Sequence, residues 1–312
     1  MNNKPDTRRI LIYLALAFSI AWAIALVIYL TGGLVNSPQL IPGTGITLAT
    51  VLLATEYMWA PTLAHILTRI LTREGWAETF LRPRLKGGWP YWVAAWLLPA
   101  LMTILGMACY FALYPQHFDP SLGFVRQLLG QIERLSGQPF PIGPWGLVAV
   151  QIGAAIVISP LVNGLFTFGE EFGWRAYLQP KLMPLGRRKA MLLMGIIWGV
   201  WHWPVIAMGH NYGLGYPGAP WLGMLAMVWF TLVVGTFLGW VTLRAGSVWP
   251  AVIGHAAING ISGLGVLFAR GQPNPLLGPL PVGLIGSAGW AALALWIFLR
   301  PEALVPPRAG GQ

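Results

Sequence analysis

Charge is what this 312-residue chain has least of. It holds nine acidic residues and nineteen lysines and arginines, so charged side chains make up 9% of it, against roughly 25% in ordinary soluble domains. A soluble protein of this length needs more polar surface than these residues supply, so lipid has to be the solvent for most of the chain. Cysteine is nearly absent as well. Cys109 stands alone in an apolar run, which excludes an internal disulfide and leaves the redox compartment unread.

What is present is apolar. Hydrophobic residues make up 56% of the chain, and runs of about 20 apolar residues, the length that crosses a bilayer, fall near 10–31, 46–68, 90–114, 146–169, 190–208, 221–243, 248–269 and 279–299. The first run follows a basic start, and Ala21-Trp22-Ala23 imitates a signal-peptidase site. It continues to about Leu30, however, longer than a signal core, and is read as an uncleaved first helix. Glycine and proline punctuate the loops, as at Gly32-Gly33, Pro42-Gly43 and Tyr216-Pro217-Gly218. No repeat, linker or low-complexity block divides the chain. The expected fold is therefore all-α: a polytopic membrane protein of about eight transmembrane helices, one domain over residues 1–312.

The cations fix the expected sidedness. With the N-terminus inside, the inner segments hold Lys4, Arg8, Arg9, Arg69, Arg73, Arg82, Arg84, Lys86, Lys181, Arg187, Arg188, Lys189, Arg244, Arg300 and Arg308. The outer segments hold only Arg126, Arg134 and Arg270. This asymmetry is what the positive-inside rule expects of eight spans with both termini cytoplasmic. It also accounts for the net charge of +10 without a nucleic-acid partner. Membrane lipid is the expected surrounding, and the missing targeting signals with the high Trp, Gly and Pro content point to a bacterial cytoplasmic membrane.

Ionisable groups at membrane depth are costly and mark function by default. The fourth run ends in Thr167-Phe168-Gly169-Glu170-Glu171-Phe172-Gly173-Trp174-Arg175. On a helix Glu171 and Arg175 are i and i+4, the order that favours an ion pair. Glu170 points about 100° away and shares a face with Asn163, Thr167 and Trp174. Glu171–Arg175 is thus expected to be a structural clamp, leaving Glu170 for chemistry. The fifth run carries Trp198-Gly199-Val200-Trp201-His202, with the tryptophans as packing or an aromatic wall. The seventh carries His255 and Asn259 at i and i+4, with Ser262 on the same stripe and small residues at Gly254, Ala256, Ala257 and Gly260 for close helix approach. Each segment alone also reads as a helix end or a polar seam between helices. Together Glu170, His202, His255 and Asn259 offer a base, a second proton-handling group and oxyanion donors, the parts amide hydrolysis by water requires. Glu170, His202 and His255 equally suit a catalytic zinc. Measured along their apolar runs, His255 lies about 10 Å from the inner end and His202 about 18 Å. The fifth helix is therefore expected to start later than its run.

At these residues the chain resembles the CAAX-protease and bacteriocin-processing (Abi) family of intramembrane proteases. Its motifs read here Glu170-Glu171-x-x-x-Arg175, Trp198-x-x-x-His202 and His255-x-x-x-Asn259. The resemblance covers residues 145–270, and the one departure is Trp198, where the family pattern has phenylalanine. It implies an intramembrane endopeptidase acting on a peptide or protein substrate. Glu170 and His202 would activate water, and His255 and Asn259 would hold the tetrahedral oxyanion. Glu171, Arg175 and Trp198 would support them. The family has been described both as glutamate-type and as metalloproteases. The oxyanion role leaves few metal ligands, which favours the glutamate type. The eukaryotic branch trims three residues after a prenylated cysteine, and bacterial branches are linked to bacteriocin self-immunity and peptide processing.

Other chemistries find less support. The chain has no His-Glu-x-x-His zinc motif and no Gly-x-Gly-Asp. Gly260-Ile261-Ser262-Gly263 imitates a serine-protease motif, but no histidine follows Asn259. A transporter could use Glu56 and His65, though they lie on opposite faces of the second run. A non-proteolytic immunity or scaffold protein is the remaining alternative. His117 and His210 are expected in outer loops. Oligomeric state is not legible.

Overall fold

The computed structural model describes residues 5–305, so Lys4 and Arg308 of the charge count lie outside the described residues. The chain builds α1 (Thr7–Leu30), a hairpin of β1 (Gln39–Ile41) and β2 (Ile46–Thr47), α2 (Leu48–Leu52), α3 (Ala60–Leu71) and α4 (Leu85–Leu113). Then come α5 (Gly123–Ser136), α6 (Pro144–Val157), α7 (Ser159–Val162), α8 (Gly164–Gly173) and α9 (Gln179–Leu182). The last part is α10 (Arg187–Trp201), α11 (Trp203–Ala207), α12 (Trp221–Ala245), α13 (Trp249–Ile261), α14 (Leu264–Leu267) and α15 (Ala288–Leu299). It is an all-α membrane protein.

Among the described residues, five helical stretches are long and apolar enough to cross a bilayer: Thr7–Leu30, Leu85–Leu113, Pro144–Val162, Trp221–Ala245 and Trp249–Leu267. The other three apolar runs contain helix but not one continuous spanning helix, and proline gives the reason. Pro61 sits in the first turn of α3, after a π-helical turn at Leu53–Tyr57; Pro204 sits in the first turn of α11. Proline lacks an amide hydrogen and clashes with the preceding turn. In the last run Pro279 and Pro281 precede α15, which keeps only 12 residues.

The bundle is built around α12, whose spanning window is 72% buried where that of α1 is 28% buried. Small residues bring its neighbours close, as helix packing in lipid requires. A methyl group built on Gly195 of α10 would lie 2.6 Å from Leu232 Cα, and one on Gly199 would lie 2.6 Å from Val228 Cα. Gly169 of α8 leaves the same kind of clearance against the Met58 carbonyl oxygen, at 2.7 Å. Hydroxyls tie α7 and α8 to α13: Ser159 Oγ donates to the Ala256 carbonyl at 2.8 Å and Thr167 Oγ1 to that of Val252 at 2.9 Å. The small residues expected along α13 therefore do serve packing.

The two ends of the bundle differ. At one, Glu74 gathers Lys181 (2.7 Å), Arg9 (3.4 Å) and Arg69 (3.9 Å), and Tyr177 donates its hydroxyl to the same carboxylate at 2.9 Å. Burial acts to raise the Glu74 carboxyl, but the hydrogen bonds from Lys181 and Tyr177 and the charges of Lys181 and Arg69 outweigh it. The net effect holds Glu74 below the usual carboxylate range. Arg244 reaches Tyr91 Oη at 2.8 Å and the carbonyls of Glu302 and Val305 at this end. The opposite end carries Arg270, whose side chain donates to the Gln116 carbonyl, and the amphipathic α5. That helix lies in a stretch expected to be an outer loop.

Candidate active site

The site forms where the end of α8, the end of α10 and the middle of α13 meet. Glu170 lies 11 residues before Lys181 along α8 and α9, and Trp198 lies 11 residues after Arg187 along α10. At 1.5 Å per residue both are about 17 Å from the basic end of the bundle. Two antiparallel helices thus bring their motif residues to one level. The fifth helix does not start late, as its depth suggested: α10 begins at Arg187.

Trp198 is the centre of the arrangement. Its indole Nε1 donates to Glu170 Oε2 at 2.7 Å. Its ring meets that of His255 edge-on at 5.3 Å and lies 5.7 Å from that of His202, and the Arg175 guanidinium covers it at 4.2 Å. Its carbonyl accepts from His202 Nδ1 at 2.7 Å. This last bond has a local cause. The helix breaks before Pro204, and the His202 amide turns to the Gly199 carbonyl at 3.1 Å, so the imidazole takes the Trp198 carbonyl instead. A carbonyl only accepts, so the proton sits on Nδ1. His202 Nε2 is left with its lone pair and no protein partner.

Glu171 does more than expected. Its Oε1 accepts from Arg175 Nη1 at 3.2 Å and from His255 Nδ1 at 2.8 Å. Arg175 Nε also approaches Oε2 at 3.2 Å, but the angle is too poor for a directed hydrogen bond, and both atoms have no other partner. The expected clamp therefore exists and also orients a candidate site histidine on a different helix. All three side chains are buried. Nor is Glu170 without a partner, since it holds the Trp198 indole.

Asn259 is not brought into this cluster. It lies one turn beyond His255 on α13, is exposed, and its side-chain amide makes no hydrogen bond to the protein. Ser262 spends its hydroxyl on the Asn259 carbonyl at 2.9 Å. As for zinc, no three His, Cys, Asp or Glu side chains among the described residues are placed to hold a metal. The Trp198 indole borders both imidazoles and occupies one oxygen of Glu170, so Glu170, His202 and His255 as arranged do not fit a zinc ion.

Sequence reasoning missed part of the surroundings. His65 is buried: its Nδ1 donates to the Phe172 carbonyl at 2.9 Å, within the motif helix, and its Nε2 accepts from Arg69 at 2.6 Å. Tyr57 and Trp22 both donate to the Trp201 carbonyl, at 2.6 and 3.2 Å, beside His202. Glu56, by contrast, is exposed. These pairings join distant helices, and only the buried polarity of His65 hinted at one.

Residues 143–261 match the model of the Rce1-like family, described as type II CAAX prenyl endopeptidase Rce1-like. The matched stretch runs from α6 to α13 and contains all three motifs. No curated protein matches the chain significantly. The helices that carry this polar cluster therefore lie in the stretch that is similar to the Rce1-like family, which is consistent with the CAAX-protease and bacteriocin-processing family to which the motifs point.

Proposed function

We propose that this chain is a glutamate-type intramembrane endopeptidase, a single domain of eight spans with both termini cytoplasmic. In this reading an extended peptide enters a cavity open toward the cytoplasmic half of the membrane. The observation that carries the proposal is the meeting of Glu170, His202 and His255 around Trp198, from three different helices.

Glu170 has one oxygen engaged by the indole and the other without a protein partner, so it can take a proton from water. His202 presents an unprotonated Nε2 to the same water, because its Nδ1 proton is committed to a carbonyl. The water oxygen adds to the scissile carbonyl carbon, and negative charge develops on the carbonyl oxygen. With its Nδ1–H on Glu171, His255 serves that oxyanion through Nε2–H as an imidazolium, and in that form it is assigned to the oxyanion, with the unengaged amide of Asn259, one turn along α13, beside it. As the C–N bond breaks, Glu170 returns the proton to the leaving amine. Trp198, Glu171 and Arg175 are positioning residues.

The transporter reading is weaker. His65 is committed at both ring nitrogens and Glu56 lies apart from it, so the two offer no continuous ion path. The test is cleavage by purified protein in liposomes: Glu170→Gln and His202→Ala should each abolish it. Cleavage by both variants at the parent rate would overturn the mechanism.

A further inference from the structure

The amphipathic α5 uses only part of its apolar face inside the protein. At about 100° per residue, its six large apolar side chains, Phe124, Val125, Leu128, Leu129, Ile132 and Leu135, fall within one arc of about 140°. Its charged and amide side chains fill the rest of the turn. Val125 and Leu129 are buried, in a cluster with Leu122, with Val148 of α6 and with Leu264 of α14. Phe124, Leu128 and Leu135 lie within about 40° of one another on the helix, beside the packed part of the arc. They are 44%, 36% and 90% exposed, an apolar strip that the rest of the described chain leaves open.

The packed side fixes the level at which α5 sits. Val148 is one turn from the first residue of the span Pro144–Val162, and Leu264 is within one turn of the last residue of the span Trp249–Leu267. Both spans approach the membrane boundary there. Trp145, in the first turn of α6, is 59% exposed, and tryptophan collects at that boundary. A helix with one apolar and one polar face is stable at this depth, with the apolar face sunk into the boundary between headgroups and acyl chains.

We propose that α5 is an interfacial helix and that its Phe124, Leu128 and Leu135 strip binds the bilayer surface. Lipid is the occupant because α5 is seated on the ends of two spanning helices, the level at which a bilayer surrounds the bundle. Apolar burial carries the contact. Arg126 and Arg134 project from the polar arc, and Arg126 Nε already donates to the Ser121 carbonyl at 2.7 Å, so uncharged phosphatidylcholine is a sufficient partner. The proposal rests on the spanning helices and not on the peptidase reading.

Spin labels on the full chain in phosphatidylcholine vesicles test it. Cys109, the sole cysteine and exposed, is first replaced by alanine. Phe124→Cys, Leu128→Cys and Leu135→Cys then place labels on the strip, and Gln127→Cys and Gln131→Cys place them on the polar arc. All five positions are exposed, so labelling leaves the packed core untouched, and an unchanged Tm confirms this for each protein. On the strip, collisions with oxygen, which concentrates in lipid, should exceed those with a water-soluble nickel chelate, at a depth of about 5–10 Å. On the polar arc the order should be reversed. Nickel collisions that dominate at all five positions would put the strip in water and overturn the proposal. Strip labels shielded from both reagents would show that a second copy or another protein covers it, which overturns the proposal equally.

Discussion

The hydrogen bond from Trp198 to Glu170 allows the sharpest prediction, because the family pattern has phenylalanine there and phenylalanine cannot make it. Replacing Trp198 by benzothienylalanine keeps the bicyclic shape, the ring under Arg175 and the backbone carbonyl that holds His202. It deletes only the N–H that lies 2.7 Å from Glu170 Oε2. A hydrogen bond to a charged group is worth roughly 1.5–3 kcal/mol, and the account places this one on the group that activates water. The expected result is a fall in kcat of roughly ten- to a hundredfold, with KM within about twofold. Trp198→Phe should fall at least as far, since it also thins the surface beneath Arg175. The assay is steady-state cleavage of a reporter peptide in liposomes, with Tm measured alongside. Parent-like kcat in the benzothienylalanine protein would refute the reasoning that this bond positions the carboxylate.

Further perturbations test other parts of the account. Glu171→Gln leaves Arg175 buried without its counter-charge, a change that typically costs about 3–5 kcal/mol; a large drop in Tm and loss of cleavage are expected, and parent-like Tm would show that the pair is dispensable. Glu74 gathers Lys181, Arg69 and Arg9, and its carboxyl titrates below the usual range in the folded protein. The stability this adds is therefore fully present above the unfolded-state value and is lost as pH falls through the folded one. Glu74→Gln should lower Tm at neutral pH and flatten its decline in acid, which thermal melts between neutral and acidic pH would record. Gly199→Val drives two methyls against Val228 and Thr231 and should cost a few degrees or more in Tm, about 1–3 kcal/mol of overpacking; no change would contradict the close α10–α12 contact.

Much of the site was legible before the fold was known. Glu170, His202 and His255 stand out because a titratable side chain in a run of apolar residues has no ordinary use, and the structure does bring those three together. Helix periodicity also picked out the pairing of Glu171 with Arg175. It could not foresee that Glu171 holds His255, because i and i+4 arithmetic says nothing about the register between α8 and α13. In the sequence Trp198 reads only as packing or an aromatic wall for a similar reason, since a donor is visible only once its acceptor is known. Asn259 shows the opposite limit, as a shared stripe with His255 did not bring its amide into the cluster. In the fold, apolar runs located the helices well. Length and hydropathy do not register the breaks at Pro61 and Pro204, and α5 is too polar for a hydropathy search, although its apolar residues recur at helical spacing.

The central claim is that Glu170 drives peptide-bond hydrolysis in a membrane. The most direct measurement is terminal-peptide proteomics on matched membranes bearing the parent protein or Glu170→Gln at equal abundance. The account predicts a set of new peptide termini, from membrane-associated substrates, that appears with the parent and vanishes with the variant. Identical termini in both membranes, together with parent-dependent cleavage of a reporter that persists in Glu170→Gln, would contradict it.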